Sequence, residues 1–143
     1  MIFVWQNGKE CVLLHFGLKY TVEDEAQHNQ RKRQRTNDME QSLVIQHIKE
    51  LGQRILPEGA SLWLYGSRAR GDARPDSDYD LLILLDKKQI TGADHDSYSY
   101  PLREMGWDMG EAISPHIYPR EAWEQWEYVP FHDNVEQDKI VLQ

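Results

Sequence analysis

The strongest constraint on the fold of this chain is a pair of short apolar segments separated by a glycine-containing polar loop. The first covers residues 62–65 and is followed by Gly66 and Ser67; the second starts with Asp78 and Asp80. Short apolar runs bounded by glycine and polar residues are typical of strands. Because side chains alternate across a strand, the two aspartates would project from one face. The sequence therefore predicts a strand, a tight turn, and a second strand that carries two adjacent carboxylates.

Asp78 and Asp80 form a candidate metal site. Two carboxylates on one face repel each other when little water separates them, and a cation relieves that repulsion. Hard divalent ions such as Mg²⁺ bind one or two carboxylates together with substrate phosphates. A solvent-facing acidic pair is the simpler interpretation, but the upstream Gly66-Ser67 step favours the metal site.

The turn after the first strand is a candidate phosphate site. Gly66 lacks a Cβ atom and permits both a tight turn and the close approach of a ligand. Ser67 suits the N-cap of a short helix that starts near Arg68, and a helix N-terminus favours phosphate. The Ser67 hydroxyl and the Arg68 guanidinium could bind phosphate oxygens. Arg70 has two readings of equal weight, a phosphate contact or an ion pair with Asp72 or Asp76.

Length and composition predict a globular protein of the cytoplasm. The chain has 143 residues, of which 40% are hydrophobic and 28% are charged, and these values are ordinary for a globular protein. No apolar run is long enough for a membrane helix, and the first residues lack the features of a signal peptide. The single cysteine, Cys11, excludes an internal disulfide and a multi-cysteine zinc site.

The distribution of charge argues against a nucleic-acid partner. Residues 1–71 carry ten Lys/Arg and eight Asp/Glu, whereas residues 72–143 carry six and sixteen. A surface for nucleic acid needs clustered cations, and the acidic C-terminal half has none. The basic run over residues 31–35 is the exception, and a solvated linker or arm is its favoured interpretation.

The first 36 residues are predicted to form an extension separate from the domain that covers residues 37–143. Asn7-Gly8 between two apolar runs indicates a β-hairpin. The following stretch, from Glu23 to the basic run, is polar without apolar periodicity and indicates a linker or mobile arm. Two alternatives stay open for residues 1–36: an accessory hairpin, or an extension ahead of a compact domain that starts near Met39.

From Asn37 onward the pattern predicts an α+β fold, a small mixed sheet with helices packed against it. Asn37 and Glu40 suit a capping box, and an apolar stripe at helical spacing follows as far as Ile55. Strands are predicted over residues 61–65, 79–85 and 112–118, with Pro115 placing the last at an edge or a bulge. A further helix is predicted over residues 94–109, where Pro101 would kink the helix or mark its true start. Another helix is predicted from residue 119 and would carry both Trp123 and Trp126. A short strand is predicted over residues 140–142.

Residues 66–81 resemble the signature of the nucleotidyltransferase superfamily that includes DNA polymerase β. The shared features are a Gly-Ser pair, ten intervening residues, and an Asp-x-Asp motif on a strand. The sequences Gly-Ser-Arg-Ala-Arg-Gly and Ser-Asp-Tyr-Asp-Leu are similar to those of small stand-alone members called minimal nucleotidyltransferases. The resemblance implies transfer of a nucleoside monophosphate from an NTP, with ATP expected, to a hydroxyl of a protein or small molecule. By matching positions, Gly66 and Ser67 would hold the triphosphate, and Asp78 and Asp80 would ligate two catalytic Mg²⁺ ions.

The next predicted strand departs from the superfamily pattern, because active members usually add a third carboxylate there. Our preferred alignment places Ser114 at that position, and Glu111 would serve only if the strand is shifted or bulged. His116 would share a face with Ser114 unless Pro115 disturbs the alternation. The resemblance therefore also implies an alternative function, that of a weak or inactive nucleotidyltransferase-fold module. Such a module would bind a small helical HEPN-type protein in the manner of an antitoxin.

Overall fold

The computed structural model describes residues 3–6, 10–13, 19–126 and 128–143, with side chains from residue 23 onward except residue 127. The chain divides into two compact units, Met1–Ser42 and Leu43–Gln143. In the first unit, the strands β1 (Phe3–Gln6), β2 (Glu10–Leu13) and β3 (Lys19–Thr21) form an antiparallel sheet in that order.

The pairing of β1 with β2, in which Gln6 lies opposite Glu10, confirms the predicted hairpin. The turn residues Asn7 and Gly8 themselves lie outside the described part of the chain. The side chain of Cys11 is not among those described.

The helix α1 (Val22–Ile55) corrects the prediction of a polar linker before residue 37. The predicted helix start at Asn37 is wrong for the same reason, since the helix already runs through that position. Glu, Gln, Lys, Arg and Ala are strong helix formers, so a polar segment can be helical without an apolar stripe. Acidic residues in the first turn complement the helix dipole, and Gln34 donates a 2.9 Å hydrogen bond to Asp38 one turn later.

The second unit contains a four-stranded mixed sheet, which confirms the predicted fold class. Its strands are β4 (Ser61–Tyr65), β5 (Tyr79–Leu85), β6 (Ile113–Pro119) and β7 (Ile140–Val141), in the spatial order β6-β5-β4-β7. The pair β5 and β6 is parallel, and β4 is antiparallel to β5 and β7. The strand β6 lies at an edge of the sheet, as Pro115 predicted, because proline cannot donate to a second neighbouring strand.

Alternation along the strands gives this sheet two differently covered faces. On one face Leu62, Leu81 and Ile83 pack with Val44 and Ile48 of α1, all of them buried. The apolar stripe predicted for the helix is thereby confirmed. We call the other face the aromatic face. It carries Trp63, Tyr65, Leu82, Leu84 and Tyr118, which pack against Trp123, Trp126, Phe131 and Val135.

The helices after β5 agree with the sequence except near the C-terminus. A short helix α3 (Gly92–Asp94) and a π-helical turn (His95–Ser99) lead into α4 (Tyr100–Met109). Pro101 lies in the first turn of α4, directly after the π-helical turn, so the predicted helix changes its hydrogen-bond pattern near the proline.

The single helix predicted to carry both Trp123 and Trp126 is wrong. The helix α5 (Arg120–Glu124) ends before Trp126, and a further helix, α6 (Pro130–Asp138), follows. Pro130 at the start of α6 is a helix-start signal that the sequence did contain. In the described part of the chain, no helix combines the length and apolar character that a membrane crossing requires.

Candidate active site

The turn between β4 and the helix α2 (Ser67–Arg70) is built on Gly66. Gly66 has φ 73° and ψ −155°, a conformation that is essentially restricted to glycine. The Gly66 carbonyl accepts hydrogen bonds from the backbone N–H groups of Ala69 and Arg70, both at 3.0 Å. The N-cap position of α2 is thus Gly66, without a side-chain cap, so the prediction that Ser67 caps this helix is wrong. Ser67 is instead the first helical residue, and its side chain is half-exposed.

Gly66 lies directly against the carboxylate of Asp80. A Cβ atom on residue 66 would stand only 2.8 Å from Asp80 Oδ2 and 3.6 Å from its Cγ. The pairing of β4 with β5 explains this contact, because Tyr65 lies opposite Asp80 in the register. The structure therefore brings together two of the predicted site residues, the turn glycine and one aspartate.

Asp78 and Asp80 lie close enough for their charges to interact. Burial raises the pKa of Asp80, and the charge of Asp78 raises it further, while His116 and Arg70 act in the opposite direction. Asp78 is exposed and immediately precedes β5, whereas Asp80 is half-buried within the strand. A partly buried carboxylate beside a second one is the arrangement that a bound cation would stabilise.

Ser114 lies at the position expected for the third acid. In the parallel register Ser114 is opposite Asp80, and its hydroxyl donates a 2.9 Å hydrogen bond to Asp78 Oδ2. His116 shares the face of Ser114, since buried and more exposed residues alternate from Ile113 to Ile117. Pro115 leaves that alternation intact.

Glu111 does not take the place of the third acid. It lies before β6, and its carboxylate is 3.8 Å from the guanidinium of Arg68. Among the described residues, no group of three or more His, Cys, Asp or Glu side chains is arranged as a metal site. Asp78 and Asp80 stay the predicted metal ligands, and the structure brings Asp80 against the Gly66 turn.

Arg68 anchors the loop between α2 and β5. The side chain is buried, and its guanidinium donates to the carbonyl of Ser77 at 2.9 and 3.1 Å and to that of Pro75 at 3.2 Å. It also lies 4.5 Å from the centre of the Tyr79 ring. These contacts hold the residues just before Asp78, a role that the sequence did not reveal. The phosphate contact predicted for Arg68 stays a prediction.

Arg70 forms ion pairs, as one of its two interpretations predicted. Its guanidinium lies 3.2 Å from Asp72 and 2.7 Å from Asp138 of α6, and these bonds raise its pKa. The partner Asp138 could not be found from local sequence because it lies 68 residues away. The Asp76 alternative is not the one that the structure adopts.

Aromatic side chains border the site on the same face of the sheet. The Tyr65 ring lies 6.5 Å from the His116 ring and 5.7 Å from that of Phe131. The pKa of the Tyr65 hydroxyl is raised, first by burial and then by the charge of Asp80. The aromatic face therefore lies directly beside Asp80.

Comparison with known proteins agrees with this geometry. A sequence model of the nucleotidyltransferase domain family matches residues 44–141, more than half of the chain. The matched region includes the Gly66 turn, both aspartates and Ser114. A search of curated proteins finds no significant match.

Proposed function

Since the chain belongs to the nucleotidyltransferase domain family, we propose that it transfers a nucleoside monophosphate from an NTP to a hydroxyl of a protein or small-molecule acceptor. The donor in this proposal is ATP, the reaction depends on Mg²⁺, and pyrophosphate is the second product. One observation carries the proposal: a turn that only glycine can form lies against a half-buried aspartate, with a second aspartate next to it. Because NTPs are abundant in the cytoplasm, we place the protein there.

The donor set of the site fits a hard divalent cation. Asp78 and Asp80 would hold the metal, in a pair of ions according to the resemblance, and carboxylate oxygens are the ligands that Mg²⁺ prefers. When bound, Mg²⁺ supplies charge neutralisation on the phosphates and on the leaving pyrophosphate. Gly66 would let phosphate oxygens approach the backbone closely, and the Ser67 hydroxyl could donate to them. Arg68 would keep Asp78 in place through the carbonyl of Ser77.

Transfer of label from an [α-³²P]NTP to an acceptor tests this proposal. We expect labelling in the presence of Mg²⁺ and no labelling by the double variant Asp78→Ala/Asp80→Ala. The matched control is Asp76→Ala, which removes an exposed acid from the same loop and should leave labelling intact. Equal labelling by the double variant and by the wild type would contradict the assignment of the site.

A second candidate function is supported by Ser114. A hydroxyl opposite Asp80 binds a metal ion less well than a carboxylate would, and it cannot act as the base for an acceptor. This favours a module that keeps the fold, turns over weakly or not at all, and binds a small helical HEPN-type protein. In that case the complex with such a protein, measured by co-elution, would survive the Asp78→Ala/Asp80→Ala change. Loss of the complex in the double variant would count against this alternative.

A further inference from the structure

Ser114 places a nucleophilic atom inside the candidate active site. It lies on the edge strand β6, directly opposite Asp80, and its side chain is half-exposed. Its Oγ donates to Asp78 Oδ2 at 2.9 Å, so the hydroxyl is oriented by one of the two carboxylates that would hold the metal. A carboxylate at this position would serve as a metal ligand or as a base, whereas a serine hydroxyl can accept the nucleotide and form a stable phosphodiester.

We propose that Ser114 is itself an acceptor, so that the protein attaches one nucleoside monophosphate to its own chain. This inference rests on the proposed function. Ser114 Oγ forms a bond to the α-phosphorus of the NTP, and the bond from that phosphorus to the bridging oxygen of the β-phosphate breaks. Pyrophosphate leaves with the electron pair of the broken bond, and the hydroxyl proton passes to water. The product is a phosphodiester between the serine and the nucleoside.

The neighbouring hydroxyls fit this role less well. The oxygen of Ser77 accepts a 2.8 Å hydrogen bond from the backbone N–H of Arg74 and is committed to the loop. Tyr65 is half-buried on the aromatic face, where its ring lies 5.7 Å from that of Phe131. Ser114 combines exposure, an orienting carboxylate and a position on the strand next to both aspartates.

Each chain could attach only one nucleoside monophosphate to itself. The attached phosphodiester would occupy the space between Ser114 and Asp78, and the 2.9 Å hydrogen bond would be lost. The nucleoside would then remain beside Asp80 and prevent a second NTP from binding there. Modification would therefore convert a free site into a blocked one, without a partner protein.

The test uses the full chain with Mg²⁺ and ATP, labelled at either the α- or the γ-phosphate, followed by intact-mass and peptide mass spectrometry. We expect incorporation of the α label only, a mass increase of one nucleoside monophosphate per chain, and its location on residue 114. Ser114→Ala should lose the label, and Ser114→Thr, which keeps a hydroxyl, should retain part of it. The matched control is Ser61→Ala, a half-buried serine at the far end of β4 that accepts from Arg120. This variant should be labelled like the wild type.

Several results would overturn the inference: incorporation of the γ label, location of the label on Tyr65 or Ser67, or equal labelling of Ser114→Ala. Calorimetry with Mg²⁺ and ATP separates this failure from failure of the proposed function. If the wild type binds Mg²⁺·ATP but residue 114 stays unmodified, self-attachment is wrong and the proposed function stands. If the wild type binds no Mg²⁺·ATP, both are wrong.

Discussion

Replacement of Gly66 by alanine should disrupt the site more than any other single-methyl change in the motif. The backbone at Gly66, with φ 73° and ψ −155°, lies in a region that costs a non-glycine residue about 2 kcal/mol. The new Cβ would also stand 2.8 Å from Asp80 Oδ2, so the carboxylate must move. Moving a packed, half-buried side chain off its rotamer costs about 1 kcal/mol more. We expect Gly66→Ala to lower the free energy of unfolding by about 3 kcal/mol.

Gly71→Ala is the matched control for that change. Gly71 follows α2 with φ 82° and ψ 14°, and a Cβ there would meet no atom within 4 Å. The left-handed conformation costs alanine about 1 kcal/mol, and the lower entropy of the unfolded chain is common to both variants and cancels in their difference. We therefore expect a loss of about 1 kcal/mol, with the Asp80 carboxylate undisturbed.

Urea unfolding followed by tryptophan fluorescence measures the difference between these two variants, since the buried Trp123 reports on the second unit. A difference of about 2 kcal/mol corresponds to about 1 M in the urea midpoint at an m-value of about 2 kcal/mol/M. Calorimetry on the same samples should show that Gly66→Ala loses Mg²⁺·ATP binding and Gly71→Ala keeps it. Equal midpoints and equal binding in the two variants would refute the close contact between Gly66 and Asp80.

Three further outcomes follow from the geometry of the second unit. Arg68→Ala should lower the free energy of unfolding by about 2–4 kcal/mol, because carbonyls of the loop lose a buried charged donor. Arg70→Ala should lower the free energy of unfolding by less. Urea midpoints compare the two variants. Asp80→Asn should stabilise the protein at pH 7 without divalent ions, because the raised pKa of Asp80 means that its charged form is disfavoured in the folded state. This gain in stability should shrink as the pH falls through that pKa. Thermal unfolding from pH 7 to 4 measures it, and a gain that stays constant would contradict the reasoning. The pKa of Asp94 is lowered to about 2, chiefly by its hydrogen bond with Lys87. The wild type should therefore be more stable than Asp94→Asn above pH 4, and this advantage should be lost as the pH falls toward 2. A difference in stability that does not depend on pH would contradict this prediction.

Sequence alone predicts the parts of the site that depend on local pattern. The Gly66 turn and the two aspartates follow from a glycine at a strand end and from the period of two along a strand. The same period predicted the face shared by Ser114 and His116, and the parallel pairing of β5 with β6 supplied the register that places Ser114 opposite Asp80. The turn, the aspartates and the shared face needed no knowledge of distant contacts, whereas the position of Ser114 opposite Asp80 depends on the pairing of β5 with β6.

The parts that sequence missed depend on tertiary contacts or on ambiguous local signals. The guanidinium of Arg68 turns inward to the carbonyls of its own loop, and no spacing rule distinguishes that from a phosphate contact. Arg70 finds Asp138 only because α6 packs beside the sheet, after a separation of 68 residues. The polar half of α1 lacked apolar periodicity, and its helical state rests on propensity and local pairs instead.

We propose that Asp78 and Asp80 form a site for Mg²⁺ and a nucleoside triphosphate. Isothermal titration of ATP into the full chain, with and without Mg²⁺, tests it most directly. We predict saturable binding that requires Mg²⁺, is lost in Asp78→Asn/Asp80→Asn, and persists in the loop control Asp76→Asn. Absence of binding in the wild type, or unchanged binding in the double variant, would contradict the claim.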